Sequence, residues 1–201
     1  MRINMDMLPN ILTIGRIVLT PIFIIFLFME AEWSKPAALI IFIIAGITDA
    51  YDGRIARKRG LETKAGEFLD PLADKILVSS AFISFAIMDK IPYWMVVLIV
   101  FRDLFVTGLR MTFLRYGISM VTSKVAKLKT AAQILAILVI LTVLSLKTIK
   151  FISSETFLQF IDRYDIVWYV ALITTFFTVY TGINYLYSNR GAIRTFITTR
   201  K

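Results

Sequence analysis

Six apolar runs, at roughly 10–30, 36–57, 66–88, 92–115, 124–147 and 166–188, divide the chain, and charged side chains interrupt them only sparingly. A bilayer hydrocarbon core of ~30 Å takes ~20 apolar residues in helical conformation, so each run has the length of one span. The connections at Ala31 to Lys35 and at Asp89 to Pro92 are too short to hold a domain, and the longest, about Lys147 to Asp165, is mixed in charge. Nothing along the chain is repetitive, Gly/Ser-rich or of low complexity. The pattern predicts an all-α polytopic membrane protein: residues 1–201 as a single bundle of six transmembrane helices. The first run carries Arg16, has spanning length and lacks a small-residue cleavage site, so it is expected to be a retained span rather than a secretory signal.

Composition agrees, with 58% hydrophobic and 18% charged residues against ~45–50% and ~25% in ordinary soluble domains. The formal charge of +9 is distributed unevenly. Setting aside Arg16, Lys75 and Arg102, which fall inside runs, alternate connections assign Lys and Arg to two sides. Arg2, Arg54, Arg57, Lys58, Arg59, Lys64, Arg110, Arg115, Lys124, Lys127, Lys129, Arg190, Arg194, Arg200 and Lys201 lie on one side. Lys35, Lys90, Lys147, Lys150 and Arg163 lie on the other. An excess of fifteen over five places the first side, with both termini, in the cytoplasm. A nucleic-acid footprint is the weaker reading of this charge, and no nucleic-acid partner is expected. Cysteine and histidine are both absent, which excludes disulfides, thiolate chemistry, zinc sites of the usual ligand type and imidazole catalysis. The 16 Phe and 8 Tyr suit lipid-facing surfaces and interfacial belts rather than a cofactor box.

Asp49, Asp52, Asp70, Asp74 and Asp103 lie within or at the ends of these apolar runs, where burying each charge costs a few kcal/mol or more. At 100° per residue, positions 49, 52, 53 and 56 fall within about 80° of one another on a helix. Asp49 and Asp52 therefore share a face with Gly53 and Ala56. The i, i+4 spacing likewise aligns Gly66, Asp70 and Asp74. The intervening loop, Lys58 to Ala65, is short enough to make the two helices antiparallel neighbours. A lone intramembrane Asp is as readily the partner of a Lys or Arg, but four converging carboxylates repel strongly at low dielectric, and one remedy is a cation between them. Oxygen-only ligands select Mg²⁺, Mn²⁺ or Ca²⁺. A pair of such ions is the usual device for clamping the attacking and leaving oxygens of a phosphoryl transfer. Arg57, Lys58 and Arg59 stand beside the acids and offer charge to phosphate oxygens. Gly53, Ala56 and Gly66 leave room for a ligand to approach the backbone.

Asp49, Asp52, Gly53, Ala56, Arg57, Gly66, Asp70 and Asp74 satisfy D-x-x-D-G-x-x-A-R-x8-G-x3-D-x3-D without gap or substitution. At average residue usage eight fixed positions coincide by chance roughly once in 10⁹–10¹⁰ starts. The pattern resembles the signature of the CDP-alcohol phosphotransferase family, integral membrane enzymes, typically dimeric, that release CMP from a CDP-activated lipid and join the lipid phosphate to an alcohol. The resemblance implies that Asp49, Asp52, Asp70 and Asp74 hold two divalent cations, Mg²⁺ or Mn²⁺, with Asp74 also the general base. It further implies that Asp49, Gly53, Ala56, Arg57 and Gly66 line the nucleotide and pyrophosphate pocket. A homodimer in the bacterial cytoplasmic membrane follows from the same resemblance.

Leu8-Pro9-Asn10-Ile11-Leu12-Thr13-Ile14-Gly15-Arg16 and Lys127-Leu128-Lys129-Thr130-Ala131-Ala132-Gln133 resemble the N-x-L-T-x-x-R and K-x-K-T-x-x-Q stretches of the family's bacterial phosphatidylglycerophosphate synthase branch. Phe101-Arg102-Asp103 with Arg110 is similar too, although Asp103 stands where many relatives carry Glu. This implies CDP-diacylglycerol as donor and sn-glycerol-3-phosphate as acceptor. An acceptor bearing phosphate needs additional cations, and Arg110, Lys127 and Lys129, near cytoplasmic helix ends, are candidates to supply them. Arg16 and Arg102 are costly within a span and are open to serving as internal partners for an acid such as Asp103, while Lys75 is open to pairing with a neighbour. Pro71, early in its segment, frees the carbonyl of residue 67 and is expected to bend the helix. Other acceptors, namely inositol phosphate, serine or phosphatidylglycerol, remain alternatives. A cation-coupled transporter is more remote, because the acids cluster at one end of two consecutive segments and show no inverted repeat.

Overall fold

A computed structural model describes residues 8–59, 64–116, 124–149 and 155–199. They form eight α-helices: α1 (Leu8–Phe28), α2 (Ser34–Arg59), α3 (Lys64–Ile87), α4 (Tyr93–Arg115), α5 (Lys124–Thr148), α6 (Glu155–Arg163), α7 (Ile166–Ser188) and α8 (Arg190–Thr199). The six apolar runs coincide with α1 to α5 and α7 to within a few residues. Two further helices depart from the sequence reading, since α6 lies in the mixed-charge connection and α8 follows the last run. Both are short and amphipathic, and periodic patterns of that length are easily read as polar loop.

Side-chain chemistry explains where the helices turn. Between α1 and α2 the Ser34 hydroxyl lies 2.8 Å from the Met29 carbonyl and 2.7 Å from that of Ala31, and Lys35 Nζ donates to the Met29 carbonyl as well. These donors satisfy carbonyls of the connection just beyond α1, which have no partner within that helix. At the end of α3 Asp89 adopts φ 55°. The amide of Lys90 donates to Phe85 O and that of Asp89 to Ala86 O, both at 2.9 Å, the paired bonds of a Schellman ending. Pro92 then prevents continuation. Asp165, also left-handed at φ 44°, separates α6 from α7.

α1 packs against both α2 and α3, and α5 also packs against both. The two motif-bearing helices thus share α1 and α5 as packing partners. Small residues permit this approach, since Ala38, Ala45 and Ala81 are fully buried beside Phe23, Leu27 and Phe82, and in lipid close helix contact depends on such positions. Phe23 and Phe42 meet with ring centroids 5.7 Å apart. α4 packs on α3 and α7, and α5 on α7. The α3–α4 turn, the end of α5 and the α6–α7 junction meet at one end of the bundle, around an open cavity of about 430 Å³ lined by Lys90, Lys147, Asp162 and Trp168 among others. There Lys147 Nζ donates to Asp162.

The outside of the bundle is apolar. On α7 the residues Ile173, Phe176, Tyr180, Ile183 and Tyr187, spaced by alternating threes and fours, are 61–67% exposed. Val97, Phe101 and Leu104 similarly face outward on α4. Apolar stripes of this extent are a membrane-facing feature rather than a water-facing one. Among the described residues Leu128–Thr148 and Ile166–Ser188 are each long and apolar enough to cross a bilayer. Membrane association follows from these features.

Within α7, Thr174, Thr175 and Thr181 are buried and return their hydroxyl protons to backbone carbonyls at 2.7–2.8 Å, so the polar groups add no unpaired donors to the core. One turn beyond Thr178 stands Gly182, over which the Arg102 side chain of α4 passes. A Cβ placed at Gly182 lies 2.9 Å from Arg102 Cγ and 3.2 Å from its Nε. Because the guanidinium is held on Asp103 at 3.2 Å, the side chain cannot swing aside freely. Gly182→Ala is therefore expected to destabilise the fold by about 1–3 kcal/mol through overpacking, measured as a lowered unfolding midpoint of the purified protein in detergent. Gly108→Ala, where the added methyl group meets nothing within 4 Å, serves as the neutral comparison.

Candidate active site

Asp49, Asp52, Gly53, Ala56 and Arg57 occupy the last three turns of α2, and Gly66, Asp70 and Asp74 the first three of α3. Both helices run through these positions without a break, α3 continuing past Pro71, so the angular spacing inferred from the sequence holds for the backbone. Only residues 60–63 separate the two helices, a link that reaches at most roughly 18 Å. The motif therefore belongs to two adjoining helix ends on the basic side of the bundle. The side chains of these eight residues, and of Arg16 and Lys127, lie outside the described residues.

A donor set of four carboxylates in a chain lacking His and Cys is chemically suited to hard divalent cations. Asp49, Asp52, Asp70 and Asp74 are the residues available to supply it. Among the described residues no group of three or more carboxylates is placed to hold a metal.

The described side chains add a buried polar cluster where α4, α5 and α7 meet. Asp103 on α4 is 2% exposed, as is Lys129 on α5. Lys129 Nζ donates to Asp103 Oδ1, Arg102 Nη1 donates to the same oxygen at 3.2 Å, and Gln133 Nε2 donates to Oδ2 at 3.1 Å. Gln133 Nε2 also stands 3.5 Å from Thr178 Oγ1 on α7, at the limit of a hydrogen bond. The charge of Lys75 on α3 reaches both Asp103 and Lys129. Two buried atoms, Arg102 Nε and Gln133 Oε1, have no partner among the described residues. Lys75 directly follows Asp74 in the sequence, so the cluster is linked to the motif through α3.

The three candidate acceptor cations are thus treated differently. Lys129 is not a solvent-facing charge at a helix end. It sits in the second turn of α5, buried against a carboxylate that only the packing of α4 on the bundle brings to it. Arg110 is exposed on α4, and its charge reaches Tyr185 on α7. Arg102 does serve as a partner of Asp103, one of the roles left open by the sequence. Gln133 was marked in the sequence only as the last position of the K-x-K-T-x-x-Q stretch, without a role, and Thr178 and Gly182 are participants that the sequence reading did not single out. The available signal was the polar stripe Thr174, Thr175, Thr178 and Thr181 in an otherwise apolar helix. At the same end α8 folds back so that Phe196 lies 4.8 Å from Phe113 and 5.0 Å from Tyr116, centroid to centroid, while Arg190 covers the Tyr187 ring at 4.4 Å.

Comparison with known proteins agrees with this arrangement. Residues 6–186 match the family model described as CDP-alcohol phosphatidyltransferase. The chain is 38% identical over 200 residues to the CDP-diacylglycerol--glycerol-3-phosphate 3-phosphatidyltransferase of Bacillus subtilis, covering 94% of this chain and 97% of that protein. The protein of the same name from Rickettsia prowazekii is 35% identical over 185 residues, covering 92% and 96%. Another of that name, from Cereibacter sphaeroides, is 40% identical over 135 residues, covering 65% and 61%. With the motif on adjoining helix ends and the match running almost the whole length, the chain belongs to the CDP-alcohol phosphatidyltransferase family.

Proposed function

We propose that the chain transfers the phosphatidyl group of CDP-diacylglycerol to sn-glycerol-3-phosphate, giving phosphatidylglycerophosphate and CMP. The observation that carries this reading is the complete eight-residue motif on the unbroken, adjoining ends of α2 and α3. The names of the relatives, which cover nearly their whole lengths and this chain's, support the choice of substrates.

The membrane setting is six spans, α1 to α5 and α7, with both termini cytoplasmic and α6 and α8 at opposite surfaces. All three tryptophans support it, since Trp33, Trp94 and Trp168 are exposed in or beside the connections assigned to the outer side. Exposed Tyr93, Tyr164 and Tyr169 accompany them. Such a ring of amphipathic aromatics marks a bilayer interface. The apolar stripes of α4 and α7 face lipid or, in the homodimer that the family resemblance implies, a second copy.

In this reading the donor enters laterally with its acyl tails in lipid. Arg57 binds pyrophosphate oxygens, and Gly53, Ala56 and Gly66, beside Asp49, leave space for the nucleotide to lie against the helix backbones. Asp49, Asp52, Asp70 and Asp74 would hold two Mg²⁺ or Mn²⁺ ions, which supply neutralisation of the charge that develops on the departing CMP. Arg110, Lys127 and Lys129 receive the acceptor phosphate. Asp74 accepts the proton of the C1 hydroxyl, whose oxygen attacks the phosphorus bearing diacylglycerol as the bond to the CMP oxygen breaks.

Purified protein in detergent with CDP-diacylglycerol and Mg²⁺ or Mn²⁺ is expected to release CMP only when glycerol-3-phosphate is added. Excess chelator should abolish the release. Equal stimulation by inositol phosphate or serine would reject the acceptor assignment. Asp74→Asn should bind CDP-diacylglycerol normally yet lose about 10²–10⁴-fold in kcat, and near-normal turnover would remove it as the base. Lys129→Ala should raise KM for glycerol-3-phosphate by about tenfold with little change in KM for the donor; steady-state kinetics with each substrate varied separately measures both.

A further inference from the structure

Lys129 is buried as deeply as any core residue, and a buried ammonium requires a counter-charge held in fixed geometry. Asp103 provides it, and the surrounding bonds determine how. One carboxylate oxygen receives Lys129 and Arg102, and the other receives Gln133. Lys129 and Gln133 are one turn apart on α5, so that helix grips the carboxylate at two points while Arg102 secures it from α4. Gln133 presents its amide nitrogen to Asp103 and leaves its own Oε1 without a partner among the described residues. The amide is thus turned to suit the carboxylate at the cost of its own acceptor.

Charge balance separates holding from cancelling. The described side chains of the cluster comprise three cations, Lys75, Arg102 and Lys129, and one carboxylate, Asp103. Among these described side chains Asp103 is shared by Arg102 and Lys129, so the pairing takes from Lys129 its freedom to move while leaving its ammonium only partly neutralised. A flexible lysine would lose side-chain entropy on binding phosphate, whereas one already fixed does not.

We propose that Asp103 is a positioning residue for the acceptor side of the site: braced by Gln133 and Arg102, it fixes the Lys129 ammonium so that the acceptor phosphate meets a preorganised cation. This rests on the reading of Lys129 as an acceptor-phosphate ligand given above. Asp103 itself touches no substrate. Its contribution reaches the reaction through Lys129 and is confined to the acceptor.

The test is steady-state kinetics on the full-length protein in detergent, with Asp103→Asn, Asp103→Glu, Lys129→Ala, Gln133→Met and the Asp103→Asn/Lys129→Ala double variant, each checked for its unfolding midpoint. Asp103→Asn is expected to raise KM for glycerol-3-phosphate about tenfold while KM for CDP-diacylglycerol changes less than about twofold. Asp103→Glu should recover most of the loss, because it restores the charge. The double variant should be no worse than Lys129→Ala, as expected for two residues acting through one contact. Gln133→Met, which keeps the ion pair and removes its brace, should raise the acceptor KM about threefold and remains informative if Asp103→Asn does not fold.

An equal rise in both KM values would overturn the proposal in favour of a purely structural ion pair, and effects of the two single variants that multiply in the double would overturn it by showing that the two residues act independently. A wild-type acceptor KM in Asp103→Asn, alongside a raised one in Lys129→Ala, would overturn positioning alone. An unchanged acceptor KM in Lys129→Ala would instead strike the reading of Lys129 on which the proposal rests.

Discussion

A carboxylate buried among apolar helices must be met by donors, and the donors Asp103 uses tie much of the bundle together. Lys129 and Gln133 come from α5 and Arg102 from α4, while Gln133 reaches towards Thr178 on α7. In a low-dielectric interior each of these bonds is stronger than its counterpart in water, and each unpaired group is more costly. The packing of α4 and α5 on α7 is constrained accordingly. Arg102, held on Asp103, passes over α7 at Gly182, where an added Cβ would collide with it.

The bundle consequently divides by chemistry. Around α1, α2 and α3 the helices are joined by alanine and phenylalanine, with Ala38, Ala45 and Ala81 allowing close approach and Phe23, Phe42 and Phe82 filling the remaining space. Such an interface is held by van der Waals contact. Around α4, α5 and α7 polar bonds add direction to the packing. α5 touches both groups, and Lys75 on α3 brings the charge of the first to the polar cluster of the second. The motif is therefore carried by the two helices of the apolar half, and Lys75, one residue beyond it on α3, is the described link to the polar cluster.

The six long helices were legible because an unbroken apolar run of spanning length has few alternatives in a chain this hydrophobic. The motif was legible because its eight residue types recur at fixed helical spacings. α6 and α8 were hidden for the opposite reason. Nine and ten residues of mixed character give little periodicity, and α8 is held by contacts such as Phe196 on Phe113 that depend on the fold. The burial of Lys129 was equally out of reach. Its position two residues after Lys127 at the start of a span suggests an exposed basic cluster, and only tertiary packing brings Asp103, 26 residues earlier, against it. Gln133 was visible as a motif position, but its partner Asp103, 30 residues earlier, was not, and Gly182 carries no local sign of its role, being a small residue in a helix that tolerates it.

Depth gives these cations a purpose under the proposed reaction. Asp49 lies ten residues from the end of α2 and Asp74 ten from the start of α3, about 15 Å along each helix. The donor reaches that level from the bilayer, its acyl chains never leaving lipid. The acceptor is a water-soluble dianion and must descend from the cytoplasmic surface past carboxylates that repel it. Under the proposed topology exposed Arg110 would stand nearer the cytoplasm and Lys75, Arg102 and Lys129 further in, and in a site with low-dielectric walls the field of such cations acts over a longer range than in water. In the proposed reaction a site of carboxylates alone would repel the second substrate, and cationic side chains within the bundle offset that repulsion.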